Sequence, residues 1–181
     1  MDRRRNSLRL QSYDYSWPGA YFVTICVADR IPRFGEVIGH FVELNAAGRM
    51  IDDHWDALPE RFAHLDLDAH VVMPNHLHAI LLINTSAPAG RESLSDIIGA
   101  FKSLTSRAYT AGVRDDGWPS FERRLWQQSF YDHVVRDEHD HERIREYIEN
   151  NPVRWHEDRE CRAWQNALLR QRKPSQEGQS E

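Results

Sequence analysis

Two histidines separated by one residue are the first feature of this sequence that could do chemistry. His76 and His78 stand in the run VVMPNHLHAILLI, residues 71–83. Successive side chains of a β-strand point to opposite faces, so the two imidazoles share a face with their Cα atoms about 7 Å apart. That separation lets both rings bind one metal ion. A pair of hydrogen-bonded structural histidines is the alternative, but an apolar strand offers such a pair no polar partners of its own.

The residues around this pair indicate a central strand. Every residue from 79 to 83 is apolar, so both faces of the strand are predicted to be buried. A buried central strand is a rigid mount for a metal site. His139 and His141 repeat the spacing at a predicted helix start, where a step of two residues rotates the side chain by about 200° around the axis. The second pair is therefore not predicted to chelate a metal.

A tyrosine in the segment DEHDHERIREYIENNP, residues 137–152, is the second candidate group. Ile144, Tyr147, Ile148 and Asn151 recur at helical spacing and share the inner face of the predicted helix. Tyr147 is either an active-site group or a core tyrosine whose hydroxyl finds a partner, with Asn151 ending the helix before Pro152. Taken alone, the segment favours the core interpretation, since inward tyrosines are common.

The elements that must position these groups follow from hydrophobic periodicity and turn residues. Strands are predicted at residues 21–27, 67–73, 76–83 and 129–135, a short irregular strand or hairpin at 34–44, and helices at 46–62, 93–111 and 138–150. Asn45 and Asp137 are suited to cap the first and last helices. The order strand, helix, strand, strand, helix, strand predicts an α+β fold with a ferredoxin-like (split βαβ) antiparallel sheet. Helices are expected on one face, with an additional C-terminal helix.

Composition limits the number of domains and the kind of partner. The chain has 181 residues, of which 40% are hydrophobic, enough for one domain with a real core. We expect this domain to span residues 1–155, beginning with an Arg-rich arm at 1–19. Residues 156–181 would be an extension that is disordered from about 173. Two cysteines without C-x-x-C spacing, and no long apolar run, lead us to expect a cytoplasmic protein with no membrane segment.

The formal net charge of -5, from 23 basic and 28 acidic residues, argues against a uniformly basic nucleic-acid coat. Residues 41–70 alone hold seven acidic and two basic side chains. The net charge of this segment, -5, equals that of the whole chain. If the predicted fold is correct, the helix in this segment lies on the sheet face away from His76 and His78. The histidine face is then neutral or basic, and a polyanion would meet a local patch there.

Four motifs together resemble a known family. They are YFVTICVADR at residues 21–30, MPNHLH at 73–78, WQQSFYDHVVRDE at 126–138 and REYIENNP at 145–152. In this order and at these separations, the chain from about residue 3 to 155 resembles the single-tyrosine HUH transposases. The resemblance is to the insertion-sequence-200-like and REP-associated tyrosine transposases.

The resemblance implies a function and a set of site residues. Members of the family share a ferredoxin-like core and cleave single-stranded DNA with a divalent ion, Mg²⁺ or Mn²⁺. Carried over by motif, His76 and His78 bind the metal, Tyr147 on the C-terminal helix is the catalytic nucleophile, and Asn151 is a further metal ligand where some relatives have Gln. The implied activity is DNA transposition through a covalent 5′-phosphotyrosine. Single-stranded or hairpin DNA is the implied partner, and both monomers and homodimers occur in the family.

Four basic residues are candidates for contacts with DNA phosphates, with ordinary solvated surface charge as the alternative: Lys102, Arg107, Arg123 and Arg124. Three tryptophans could stack on unpaired bases or pack in the core: Trp17, Trp118 and Trp126. Two other functions remain open at this point. One is a metal-dependent phosphodiesterase that uses water, and the other is a domesticated relative that binds nucleic acid without cleaving it.

Overall fold

The structure is a computed structural model that describes residues 18–84, 92–158, 161 and 165. Strands β1 to β6 span Gly19–Cys26, Gly35–Ile38, Phe41–Leu44, Leu65–Met73, His76–Ile83 and Tyr131–Val135. Helices α1 to α4 span Ala46–Asp56, Leu58–Arg61, Leu94–Asp115 and Glu138–Glu149, and a 3-10 turn follows at Trp155–Glu157. All but the last two residues of the predicted arm, and the tail from 173, lie outside the described residues.

The main sheet is antiparallel, with the strand order β4-β5-β1-β6. Two βαβ units, β1-α1-β4 and β5-α3-β6, are thereby interleaved, which confirms the predicted split βαβ arrangement. Strand β5 lies between β4 and β1. In the β1–β5 register His76 is opposite Cys26, and His78 is opposite Thr24.

One face of the sheet carries the larger core. Leu77, Ala79 and Leu81 of β5 are buried there, together with Ile51 of α1 and Phe101 of α3. These alternate positions are the ones predicted to face away from the two histidines. Helices α1 and α3 therefore cover this face, as the sequence predicts.

The opposite face carries a smaller core beneath α4. Ile80 of β5 and Phe22 of β1 pack there against Ile144 and Ile148 of α4. The additional C-terminal helix thus lies on the histidine face of the sheet. Strand β5 is buried on both faces, which confirms its prediction as a central strand.

The prediction of one continuous helix over residues 46–62 is wrong. The structure has two helices there, α1 and the short α2, separated at Ala57. Pro59 lies in the first turn of α2. Its ring has no N–H to donate and would clash with the carbonyl of Trp55 in an unbroken helix. Periodicity of the apolar residues continues across the break, which is why the pattern alone predicts one helix.

Helix α3 is longer than predicted, since it runs to Asp115 rather than ending at 111. Gly112 is a buried position inside the helix and not part of the loop. A Cβ at Gly112 would lie 2.3 Å from Cε3 of Trp118. The glycine therefore makes room for the ring of Trp118 and does not end the helix.

The β2–β3 hairpin, predicted as an irregular strand or hairpin, forms a separate two-stranded sheet before α1. Asn45 caps α1 as predicted, because its Oδ1 accepts from Gly48 N at 2.9 Å. The same side chain donates from Nδ2 to Arg33 O at 2.9 Å. The Phe34 carbonyl accepts from Asn45 N at 3.1 Å, so the hairpin entry and the helix start are joined.

Acidic residues of α1 lie on the face away from the histidines, as predicted. Asp52, Asp53 and Asp56 belong to the helix that packs with α3. The expectation of a neutral or basic histidine face is wrong, because α4 on that face has five acidic against two arginine side chains, and Asp68 of β4 contacts it. In the described ranges, the helices are all too short or too polar to cross a membrane.

Gly48 tests how α1 is held against the hairpin. A Cβ on Gly48 would lie 2.0 Å from the backbone oxygen of Phe34, which is fixed by its bond to Asn45 N. We expect Gly48→Ala to lower the free energy of unfolding by about 1–3 kcal/mol because this atom cannot move aside. Urea denaturation monitored by circular dichroism measures the change.

Gly99 in α3 is the matched control, since no atom lies within 4 Å of a Cβ built there. Gly99→Ala is expected to raise the free energy of unfolding by about 0.5–1 kcal/mol through the better helix propensity of alanine. Similar changes in the two variants would contradict the assignment of Gly48 to a close backbone contact.

Candidate active site

The two histidines face each other on the inner side of β5. His76 is fully buried and His78 is 3% exposed. Their Nε2 atoms lie 2.9 Å apart. Two nitrogens bound to one ion at about 2.1 Å, with about 90° between the bonds, would have nearly the same separation. The separation of the two Nε2 atoms is therefore the one that shared coordination requires.

Asn75 determines which nitrogen of His76 carries the proton. Its Nδ2 donates to Arg30 O at 2.7 Å, so its Oδ1 is the atom that faces His76 Nδ1 at 2.9 Å. An amide oxygen can only accept, and Nδ1 of His76 must donate. The neutral ring then presents a bare Nε2 to the site. Arg30 holds its carbonyl toward Asn75 with a left-handed φ of 62°, a conformation that non-glycine residues seldom adopt.

His78 has a hydroxyl as its second partner. Thr24 Oγ1 lies 2.8 Å from His78 Nδ1. With Nε2 of His76 bare, Nε2 of His78 donates to it, and the Thr24 hydroxyl donates to Nδ1. Because a hydroxyl both donates and accepts, the proton of His78 can move to Nδ1 and leave Nε2 bare for a metal.

Burial keeps both imidazoles neutral. It lowers the pKa of His76 from 6.5 to about 3. Burial also lowers the pKa of His78 well below its ordinary value, with a further lowering by His76 and an opposing effect of Asp158. Neutral imidazole is the form that binds metal, so the fold removes proton competition at this site.

Tyr147 lies beside this pair and faces solvent. Its hydroxyl is 3.3 Å from His78 Nε2, and 39% of the residue is exposed. Phe22 touches both rings, edge-on to Tyr147 at 6.0 Å and stacked on His78 at 5.6 Å between centroids. The predicted inner stripe of α4 therefore divides, because Ile144 and Ile148 are buried while Tyr147 reaches the surface next to the histidines.

Helix α4 is held to the edge strand β4 by one carboxylate. Asp68 accepts from Arg145 Nη1 at 2.8 Å and pairs with His141 Nε2 at 2.6 Å. It lies within a β-bulge, since the register of β4 shifts between Leu67 and His70. Bulges redirect side chains, and this one lets Asp68 reach the helix. His141 thus contacts a carboxylate of β4.

Asn151 follows the end of α4 and is 2% exposed. Its Oδ1 is buried and has no hydrogen-bond partner among the described atoms. An unpaired buried amide oxygen is costly unless a ligand completes it. One turn later, Trp155 stacks on His76 with ring centroids 6.0 Å apart.

Asp158 is a candidate metal ligand that the sequence pattern does not predict. One ligand atom each of His76, His78 and Asp158 lies within 4.8 Å of the others. Asp158 accepts from Cys161 N at 3.3 Å, and Cys161 is buried with Met73 and Trp155. The extension therefore packs on the domain at its first residues. In the sequence, only the position of Asp158 directly after the turn that begins at Trp155 points to this role. That signal is too weak to support a prediction.

These donors fit a divalent cation. Two imidazole nitrogens and a carboxylate oxygen converge, and the buried amide oxygen of Asn151 lacks a partner. Mixed nitrogen and oxygen donors suit first-row transition ions such as Mn²⁺, whereas Mg²⁺ prefers oxygen. The residues present are thus compatible with a metal centre next to the tyrosine.

A cavity of about 630 Å³ opens beside Tyr147 and His78. None of the four basic residues proposed from sequence to contact DNA lines it. Lys102 Nζ instead donates to Gln127 O at 3.1 Å and Ser129 O at 3.0 Å. Arg107, Arg123 and Arg124 are exposed elsewhere, and their contact with DNA stays a prediction. The basic side chains that do line the cavity are Arg30 and Arg143.

The tryptophans proposed to stack on bases have structural roles where they are described. Trp126 is 3% exposed, and its Nε1 donates to Thr105 Oγ1 at 2.9 Å. Trp118 packs against Tyr109 with ring centroids 5.2 Å apart. The core interpretation therefore holds for these two, and Trp17 lies outside the described residues.

The chain is similar to several known proteins. The sequence model of the family described as "Transposase IS200 like" matches residues 60–151, a span that includes both histidines, Tyr147 and Asn151. An "Uncharacterized protein" of Haemophilus influenzae is 33% identical over 172 residues, covering 85% of this chain and 91% of its own length. A "Putative REP-associated tyrosine transposase" of the same organism is 23% identical over 144 residues, covering 78% and 74%.

The chain is also similar in fold to a solved structure. It is described as a REP-associated tyrosine transposase bound to a REP hairpin. The TM-score is 0.58 at 19% sequence identity, and the match covers 95% of this chain and 90% of the other. At this identity the likeness supports the ferredoxin-like fold and the placement of its helices.

The hydrogen bonds of Asn75 and Thr24 predict opposite tautomers for the two histidines. In the metal-free chain at neutral pH, ¹⁵N NMR of the imidazoles should show His76 as the Nδ1–H form and His78 as the Nε2–H form. His76 should not gain a proton between about pH 7 and about pH 5, because burial lowers its pKa to about 3.

Asn75→Ala removes the acceptor of His76 Nδ1–H and should shift that ring toward the other tautomer. Asn84→Ala is the control, since Asn84 follows the far end of β5 and donates to Asp66. An Nε2–H form of His76 in the unmodified chain would contradict the assignment.

Proposed function

Because this chain belongs to the insertion-sequence-200-like transposase family, we propose that it cleaves and rejoins single-stranded DNA through a covalent bond to Tyr147. The observation that carries the proposal is the position of the Tyr147 hydroxyl, 3.3 Å from the buried histidine pair and open to a cavity. A core tyrosine would have no reason to remain 39% exposed at this place. The chain would act in DNA transposition.

The proposed step is a transesterification at a phosphate. Tyr147 Oη attacks phosphorus, the bond from phosphorus to the 3′ oxygen breaks, and a 5′-phosphotyrosine and a 3′-hydroxyl result. The phenolic proton is transferred through solvent to the leaving 3′ oxygen, so the step is balanced. A free tyrosine has a pKa near 10, so the reaction requires local stabilisation of the phenolate.

His76 and His78, through Nε2, with Asp158 and Asn151 as oxygen donors, would hold the divalent ion. When bound, such an ion polarises the scissile phosphate and stabilises charge on its non-bridging oxygens. Thr24 and Asn75 fix the orientation of the two imidazoles through their hydrogen bonds to Nδ1. Phe22 fixes the ring of Tyr147 relative to His78, and Asp68 holds the helix that carries it.

The covalent intermediate keeps the energy of the phosphodiester. A second 3′-hydroxyl can attack the phosphotyrosine and displace Tyr147 Oη, which reseals the strand without a nucleotide cofactor. This exchange distinguishes a strand transferase from a hydrolase. Single-stranded or hairpin DNA is the proposed substrate, supported by the hairpin bound to the structurally similar transposase.

Covalent capture of DNA tests the nucleophile. The full chain with Mn²⁺ is incubated with labelled single-stranded hairpin oligonucleotides whose flanks are randomised, and a denaturing gel is examined for a protein–DNA adduct. We expect an adduct with the unmodified chain and none with Tyr147→Phe, because only the hydroxyl is removed. Excess EDTA should also abolish it.

Tyr109→Phe is the control for loss of a hydroxyl. Tyr109 lies in α3 on the other face of the sheet, and its hydroxyl donates to Pro119 O at 2.9 Å. This variant should still form the adduct. An adduct with Tyr147→Phe would show that another group is the nucleophile, and cleavage without any adduct would favour a phosphodiesterase that uses water. Binding without cleavage would favour the non-catalytic relative.

Metal binding without DNA tests the ligand set. Isothermal titration calorimetry of Mn²⁺ with the full chain should show one binding site. His78→Ala should abolish detectable binding, and Asp158→Asn should weaken it more than about 10-fold, since a coordinating oxygen loses its charge. Asn151→Ala should weaken it as well.

Glu157→Gln is the matched control for Asp158, because it neutralises the exposed neighbouring carboxylate. It should leave Mn²⁺ affinity unchanged. Equal Mn²⁺ affinity of the unmodified chain and His78→Ala would refute the metal site. Equal losses of affinity in Glu157→Gln and Asp158→Asn would show that Asp158 acts only through its charge and is not a ligand.

A further inference from the structure

The loop after β1, residues 27–34, is hydrogen-bonded to the turn that joins β4 and β5. The carbonyl of Pro74 in that turn accepts from Arg33 N at 2.7 Å. Val27 N donates to Asn75 O at 2.9 Å. Both residues of the turn that precedes the first histidine are therefore held by backbone groups of this loop.

Arg30 lies in the middle of the loop in a conformation that a non-glycine residue seldom adopts. Its φ is 62°, in the left-handed region. Such a conformation persists only where surrounding contacts impose it. Asp29 supplies one of these contacts, because its Oδ1 accepts from Ile31 N at 3.1 Å and closes a turn around Arg30. The carbonyl of Arg30 is thereby directed to Nδ2 of Asn75.

A buried guanidinium holds Asp29 in turn. Arg33 is 5% exposed, although arginine is almost never buried without partners. Its Nη2 donates to Asp29 Oδ2, and its Nη1 donates to Pro119 O at 3.2 Å and Ser120 O at 3.0 Å. The planar, permanently charged group reaches the carboxylate and both carbonyls at once, which a lysine could not do. Arg33 therefore joins the loop after β1 to the loop after α3.

The direction of the Asn75 amide depends on these contacts. Its Oδ1 faces His76 Nδ1 while its Nδ2 donates to the Arg30 carbonyl. In the reversed amide, Nδ2 would face His76 Nδ1, and that nitrogen would have to accept. The proton of the ring would then lie on Nε2, the atom that His76 otherwise presents bare to the candidate metal site.

We propose that Asp29 and Arg33 are positioning residues of the metal site. Acting through Arg30 and Asn75, they keep the proton of His76 on Nδ1 and leave Nε2 bare for an ion. Neither Asp29 nor Arg33 belongs to the candidate ligand set or lines the cavity of the active site. The inference rests on the proposed function for the presence of a metal, whereas the position of the proton is a property of the metal-free chain.

The tautomer of His76 tests the inference without any metal. ¹⁵N NMR of the imidazoles is recorded on the full chain in EDTA at neutral pH, and circular dichroism checks that each variant is folded. Asp29→Ala removes the acceptor of Ile31 N and the partner of Arg33, so the resonances of His76 should shift toward the Nε2–H form. Arg33→Lys should cause a smaller shift in the same direction, because an ammonium can reach the carboxylate but not both carbonyls as well.

His78 supplies a second signal in the same spectra. Its Nε2 lies 2.9 Å from that of His76, so only one of the two nitrogens can carry a proton between the rings. In Asp29→Ala, His78 should therefore shift toward its Nδ1–H form while His76 shifts the other way. A general loss of packing would not produce this reciprocal change.

Mn²⁺ affinity tests the consequence for the site. In isothermal titration calorimetry, Asp29→Ala should bind Mn²⁺ about 10-fold more weakly than the unmodified chain, an effect typical of residues that orient a metal ligand. The double variant Asp29→Ala/Arg33→Lys should lose no more affinity than Asp29→Ala alone, because the two side chains act through one contact. Additive losses would contradict this single route.

Two variants are the controls for charge and for stability. Arg114→Ala breaks an exposed Arg–Asp pair at the end of α3. Ile97→Val removes one methyl group from the core on the far face of the sheet and lowers stability there. Both should keep the tautomers and the Mn²⁺ affinity of the unmodified chain.

The outcomes separate this inference from the proposed function. Unchanged tautomers in the folded Asp29→Ala and Arg33→Lys variants would overturn it, and Arg33→Lys decides if Asp29→Ala does not fold. An equal shift in Ile97→Val would overturn it as well, since lower stability would then be the cause. If the tautomers shift while the unmodified chain binds no Mn²⁺, the positioning contacts stand and the proposed metal site fails. Equal Mn²⁺ affinity of the unmodified chain and Asp29→Ala would leave the metal site standing and refute the positioning role.

Discussion

Burial of two imidazoles side by side on β5 is the constraint on which the rest of the site depends. A buried polar nitrogen needs a partner, and His76 and His78 obtain theirs from Asn75, Thr24 and each other. Asn75 can serve only because the carbonyl of Arg30 holds its amide. These hydrogen bonds join three segments: the loop after β1, the β4–β5 turn and β5. They hold the two neutral rings with their Nε2 atoms close together.

One side of helix α4 both packs against the sheet and presents Tyr147 to solvent. Ile144 and Ile148 bury the helix against β5 and β1, whereas Tyr147 on the same side remains accessible to a substrate. This is possible because a cavity opens beside Tyr147 and His78 on this side of the helix. The bulge in β4 directs Asp68 toward α4, where its carboxylate accepts a hydrogen bond from Arg145. Packing and an ion pair together hold the tyrosine while leaving its hydroxyl exposed.

Acidic side chains lie on both faces of the sheet, on α1 on the far face and on α4 on the histidine face. The cavity by Tyr147 has two arginines among its lining side chains, Arg30 from the loop after β1 and Arg143 from α4, with Asp158 as the one carboxylate of the lining. A polyanion substrate of this chain of net charge -5 would meet these two guanidinium groups near the proposed nucleophile. Neither Arg30 nor Arg143 belongs to a basic run, so segment counts do not reveal them.

The sequence by itself determines the fold class, the shared face of His76 and His78, and the helical spacing that puts Ile144, Tyr147 and Ile148 on one side of α4. These are local properties, because strand alternation and helical spacing operate over a few residues. Tertiary structure alone decides what meets across elements: Thr24 opposite His78, Asp158 beside the histidines, and the division of α4 into buried and exposed positions. Such contacts join residues far apart in the chain, and their distances depend on how the sheet, the bulge and the last helix pack together.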